Sequence, residues 1–166
     1  MTVTADVAAT LSFAISDVTI GFGTLSATAT RWADSTGAGS DTSVSAHNFT
    51  ASTNAISGYT VTLSGATLTM GAHTITAIGP IAVAPSIGTE QFGLRIVHTG
   101  GAGVPSAPYN TANFAFDFAA MPDEVAASPT ASITTTFDVF YIANIAAITE
   151  AGAYTTALTY VATGRF

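Results

Sequence analysis

Apolar and polar residues alternate with a period of two along most of this chain, the spacing that sends successive side chains to opposite faces of a β-strand. From Val3 the odd positions read Val3, Ala5, Val7, Ala9, Leu11, Phe13 and Ile15, while the even positions from Thr2 to Ser16 are small or polar. This predicts one long opening strand with a single apolar face. The alternation returns at Val18, Ile20 and Phe22, at Tyr59, Val61 and Leu63, at Phe92, Leu94 and Ile96, and at Phe114, Phe116 and Phe118. It runs far again between Ile133 and Ile145, and comes back from Tyr154 to Ala162. Shorter strands are expected over residues 44–51, 67–70 and 73–77, the last two joined at Gly71-Ala72 as a hairpin.

Between these runs lie segments rich in Gly, Pro, Ser and Asp, at residues 34–43, 79–89, 99–110 and 121–129, which read as loops. No stretch keeps an apolar stripe at helical spacing for three turns. Many strands with turn signals between them, and no helices to serve parallel crossovers, imply an all-β fold. The expectation is one domain over residues 1–166, an antiparallel immunoglobulin-like or jelly-roll β-sandwich of about nine or ten strands, with a long N-terminal strand.

Composition narrows what such a fold can do. Of the 166 residues only 8% are charged: three Arg, no Lys and ten Asp or Glu, for a net charge of −7. Nucleic acid is excluded as a partner, because binding phosphates takes clustered cations. The absence of Cys excludes disulfides, thiolate zinc sites and cysteine nucleophiles. Ala and Thr fill 32 and 29 positions. Between Asp41 and Glu90 lie 48 residues without formal charge, yet Thr, Ser, Asn and Gly interrupt them, so no transmembrane helix is expected. The Lys-free, Thr/Ala/Gly-rich composition suits an exported β protein whose signal peptide has been removed, and the expected location is extracellular, at the cell surface.

The search for catalytic chemistry returns little. There is no phosphate-binding lysine, no Gly-x-Ser-x-Gly elbow and no His-Glu-x-x-His pair. Gly21-Phe22-Gly23 begins like a dinucleotide fingerprint, but Ser26 stands where the third glycine belongs. His47, His73 and His98 fall on three separate candidate strands, better read as strand residues than as metal ligands. Asp34 with Asp41, and Asp123 with Glu124, sit on loops where a calcium site is conceivable but solvated carboxylates are the simpler reading. Asp17, Glu90, Asp117 and Asp138 fall at strand edges or on polar faces, and the sequence places no two of them at the separation a glycosidase's facing carboxylates need. No enzyme activity and no cofactor are expected. Asn48-Phe49-Thr50 is an N-glycosylation sequon, which makes Asn48 a candidate modification site.

The opening segment carries the sharpest expectation. At about 3.3 Å per residue, residues 3–15 would extend about 40 Å, whereas sandwich strands usually run about five or six residues. Part of that apolar face has no place in its own fold, and left bare it would aggregate. Residues 1–15 are therefore a candidate donor strand that completes an open sheet edge in another copy, with Val3, Val7, Leu11, Phe13 and Ile15 as the interface side chains. Such a head-to-tail contact does not close and generates a filament. The competing reading bends the strand by a bulge near Ala8-Ala9 and keeps it inside one monomer.

Two segments, Thr53-Asn54-Ala55-Ile56-Ser57-Gly58-Tyr59-Thr60-Val61-Thr62 and Ala151-Gly152-Ala153-Tyr154-Thr155-Thr156-Ala157-Leu158-Thr159-Tyr160-Val161-Ala162-Thr163, resemble exported immunoglobulin-like β-sandwich subunits of prokaryotic surfaces, pilin-like proteins among them. That resemblance implies a structural role, assembly by strand donation and no catalytic centre. An LPxTG sorting signal, a Cys pair, a Lys for isopeptide crosslinking, the long apolar helix of type IV pilins and the coiled-coil ends of flagellins are all missing, which leaves a self-assembling donor-strand fibre. The partners expected are thus copies of the chain itself. An adhesin or carbohydrate-binding module using Arg31, Trp32 and Tyr109 is the second reading. A viral capsid or decoration protein follows it, and an ice-binding Thr face is remote.

Overall fold

The computed structural model describes all 166 residues, and its regular structure is almost wholly β-strand. These are β1 (Leu11–Ile15), β2 (Arg31–Trp32), β3 (His47–Thr53), β4 (Tyr59–Gly65), β5 (Thr69–Met70), β6 (His73–Thr74), β7 (Gly79–Val83), β8 (Gln91–Gly100), β9 (Val104–Pro105), β10 (Phe114–Phe116), β11 (Asp123–Ser128), β12 (Ser132–Asn144) and β13 (Leu158–Gly164). A 3-10 turn at Phe118–Ala120 is the one helical element. No helix is long and apolar enough to cross a membrane.

Two antiparallel sheets pack face to face. The larger runs β1-β3-β12-β8-β10-β7, with β2 alongside β12, and the smaller runs β13-β4-β11-β9; β5 and β6 form a separate hairpin. The fold is the all-β sandwich that the alternation predicts. Its thirteen strands exceed the expected nine or ten, chiefly because several are only two residues long. After β3 the chain alternates between the sheets at most connections, so most pairings join residues far apart in sequence.

β12 is the spine. It pairs with β3 over Ser132–Val139 on one side and with β8 over Thr135–Asn144 on the other. From Thr135 onward its odd residues Phe137, Val139, Tyr141 and Ala143 turn inward and are buried, while a register shift between Ser132 and Thr135 leaves Ile133 79% exposed. Inward positions of β3 (Phe49, Ala51) and β4 (Tyr59, Val61, Leu63) complete the pattern.

Ala holds seven of the 24 buried apolar positions, and the gap of about 10 Å between the sheets is filled largely by aromatics. Phe49 stacks on Phe137 at 4.7 Å between centroids and meets Tyr160 of the opposite sheet at 5.4 Å. Phe92 packs on Phe116 at 4.9 Å and on Tyr141 at 6.2 Å. Tyr59 and Tyr109 are fully buried.

Several expectations are corrected. The opening strand does not run over residues 3–15: only Leu11–Ile15 pairs, against Thr53–Phe49 of β3, and residues 1–10 lie outside every sheet. Residues 18–22 form no strand; Ile20 and Phe22 pack half-buried from a loop whose one β-bridge joins Gly21 to Asp34, with Phe22 edge-on to Phe92 at 6.3 Å. Three segments expected as loops contain strands: β7 in residues 79–89, β9 in 99–110 and β11 in 121–129. β7 tolerates Pro80 because it is an edge strand, whose outward amide needs no ladder partner. β11 hides its alternation behind a bulge between Glu124 and Ala126, and its acidic residues are spoken for: Asp123 accepts from the Tyr109 hydroxyl at 2.7 Å, and Glu124 accepts from Ser106 at 2.8 Å.

Phe137→Ala is expected to destabilise the protein by about 3–5 kcal/mol, whereas Phe118→Ala, on a side chain 55% exposed, changes stability by about 0.5 kcal/mol or less. Chemical denaturation of both variants checks the contrast.

Candidate functional site: a groove on the flank of the sandwich

β1 ends the larger sheet and β13 ends the smaller one, and the two lie next to each other on one flank. β13 pairs with β4 and has no ladder partner on its other side. At the Ile15 end of β1 the flank opens into a groove of about 910 Å³. Its floor carries Tyr141, Tyr160, Phe92 and His47; the segments 17–25 and 149–158 form its walls. The first wall is held by Arg31, which donates from Nε to Phe22 O at 3.2 Å, from one terminal nitrogen to Ala38 O at 2.7 Å, and pairs with Asp41 through the other. Gly23 must be glycine here: φ is +62° and a Cβ would stand 1.9 Å from Ala38 O.

The floor is aromatic with polar points. His47, 7% exposed, stacks on Tyr141 at 5.8 Å and meets the edge of Tyr160 at 5.6 Å. The Tyr141 and Tyr160 hydroxyls share a hydrogen bond. Burial pushes both phenols above the ordinary tyrosine value. His47 Nδ1 has no hydrogen-bond partner. Burial drives the His47 pKa below its usual 6.5, against the smaller opposing pulls of the Asn48 backbone and the Asp17 charge.

At the opposite end of β1 the chain leaves the fold under a clamp. Asn54 Oδ1 accepts from Thr10 N at 2.7 Å, and Asn54 Nδ2 donates to Ala8 O at 2.7 Å. The Thr53 hydroxyl donates to Thr10 O at 2.7 Å. Beyond Ala8 no hydrogen bond holds the segment, and Val3 and Val7 are 79% and 87% exposed. Of the interface residues expected from sequence, Leu11, Phe13 and Ile15 pack half-buried on their own core, with Phe13 against Phe49 at 5.8 Å. Val3 and Val7 project from it.

The remaining candidates are scattered. His73 faces Glu150 at 3.3 Å and His98 lies beside Phe137, so the three histidines do not meet; no three His, Asp or Glu side chains come together as a ligand cluster. Asp34 accepts from the Thr36 amide and hydroxyl at 3.1 and 2.9 Å, and Asp41 is held by Arg31. Glu90 accepts from Thr149 at 2.6 Å and Thr76 at 3.2 Å, while Asp138 stands mid-strand opposite Asn48. Asn48 itself is in β3, between β1 and β12, rather than on a loop. Tyr109 is wholly buried, so it cannot present a surface with Arg31 and Trp32.

Sequence reasoning missed Asn54 as a clamp and the segment 17–25 as a groove wall. A polar Asn directly after an alternating run was the available signal for the first; for the second there was none, because alternation does not say whether a partner strand exists. The chain matches no protein-family profile, no curated protein and no solved structure.

The unfolded chain takes up a proton on His47 near the ordinary value of 6.5, the folded chain only at lower pH, so stability is present above 6.5 and falls as pH drops below it. Melting temperature measured from pH 8 down to about pH 5 should decline more steeply for the native sequence than for His47→Phe. Parallel curves would show that His47 adds nothing.

Proposed function

We propose that this protein is a noncatalytic structural subunit of an extracellular filament or surface layer, joined head to tail by donation of its N-terminal segment to the next copy. The observation that carries this reading is the standing of residues 1–10. They alternate like a strand, hold Val3 and Val7 almost bare, and pair with no strand of their own sheet. An extended apolar segment left in water is an aggregation hazard, and a segment that covers itself on a neighbour removes it.

The donated part is shorter than the sequence suggests. Leu11, Phe13 and Ile15 serve as the edge of their own sheet, leaving Val3 and Val7 for the partner. Few charges suit close subunit packing, since buried unpaired ions are costly. The likeness to exported pilin-like sandwiches supports the same role and the extracellular location.

Removing residues 1–10 should give a folded monomer that forms no filaments by negative-stain microscopy and elutes as one copy in size-exclusion chromatography. Removing residues 1–15 also strips β1 and the Phe13 contact with Phe49, so that protein is expected to melt well below the shorter truncation. A full-length chain that stays monomeric at high concentration would refute the assembly.

A further inference from the structure

We infer that the acceptor for the donated segment is the flank of a second copy, with residues 2–9 entering at the groove beside Leu158 and Tyr160 and lying along the free edge of β13. This rests on the strand-donation reading and specifies its receiving side. Three observations converge. First, β13 lacks a ladder partner on its outer edge while its inward residues Leu158, Tyr160 and Ala162 remain only half-buried. Second, the lengths agree: residues 2–9 extend about 26 Å and the seven residues of β13 about 23 Å, at about 3.3 Å each. Third, the sizes fit. Val3 and Val7 alternate with Ala5 and Ala9, so two branched side chains separated by small ones would meet a floor already crowded by Tyr160, Tyr141 and Phe92.

The geometry also makes the contact intermolecular. The groove opens beside Ile15, Asp17 and Leu158, whereas the tail leaves beside Thr53 and Asn54, at the other end of β1. The register Leu11↔Thr53 through Ile15↔Phe49 fixes that separation. The Asn54 clamp on Ala8 and Thr10 directs the tail out of its own fold at that far end. One copy therefore offers a donor at one pole and an acceptor whose mouth opens at the other, β13 running from Leu158 at the groove back to Gly164 beside Tyr59, the arrangement that propagates rather than closes. Asn54 is a positioning residue for assembly, with no contact to the groove.

Because the chain has no cysteine, single introduced thiols report contacts without background. Full-length Val7→Cys protein is mixed with full-length Ala153→Cys or Ala157→Cys protein, both on the groove wall, and oxidised. Ile133→Cys, on the outer face of β12, serves as control. Each variant is first shown by thermal melting to fold like the parent. Tail-to-groove disulfide dimers about tenfold above the control are expected, since a docked tail raises the local thiol concentration, and Asn54→Ala should reduce them while leaving the melt nearly unchanged. Filaments that depend on residues 1–10 but give no tail-to-groove disulfide would overturn this acceptor and leave strand donation standing. Absence of both filaments and disulfides would overturn the two together. In a Val7→Cys/Ala157→Cys double variant, a disulfide that forms only within one chain, with none between the mixed single variants, would show the tail filling its own groove and overturn the head-to-tail contact.

Discussion

The sandwich depends on a chain of aromatic rings that spans the gap between its sheets. Ala and Thr fill 32 and 29 of the 166 positions and Ala seven of the 24 buried apolar ones, so the volume between the sheets, where a void would be costly, falls to a few large side chains. Phe13, Phe49 and Phe137 stack from the edge strand into the centre, Tyr160 reaches across from the smaller sheet, and His47, Tyr141, Phe92 and Phe116 carry the contact to the far side. Large side chains at few positions allow other inward positions, such as Ala51 and Ala143, to stay small.

The same economy explains the weak point of the fold. Past Tyr160 and Ile15 no strand joins β1 to β13: Phe22, edge-on to Phe92 at 6.3 Å, carries the aromatic chain into one wall, and the flank opens into a groove walled by two loops. The wall at 17–25 keeps its place through Arg31, whose guanidinium serves three acceptors at once. With three cations in the whole chain, using one in this way indicates that the wall matters to the fold. His47 lies under the groove with Nδ1 unpartnered, a polar group retained in an otherwise apolar floor.

Both chain ends meet on this flank. The first strand edges one sheet, the last strand edges the other, and the segment before the first strand leaves from the end away from the groove. A surplus of alternating apolar residues at one pole and a deficit of packed ones toward the other are complementary features of a single chain, and the filament reading joins them.

Much of this was legible in the residues themselves. The alternation at Tyr59, Val61 and Leu63, at Phe92, Leu94 and Ile96, and along residues 135–143 places these side chains inward, as found, because a strand's two faces are set by local geometry alone. The lack of helical stripes excluded helices for the same reason. What alternation cannot carry is whether a partner strand waits alongside. Residues 3–9 and 11–15 share one pattern, yet only the latter find β3 beside them, because β3 ends at Thr53 and Asn54 turns the chain outward. Likewise Ile20 and Phe22 pack without pairing, while Asp123 and Glu124 enter a strand once Tyr109 and Ser106 supply donors for their carboxylates. The sequence by itself determined which faces are apolar; where each face finds cover was decided by hydrogen-bonding neighbours that only the folded chain brings within reach.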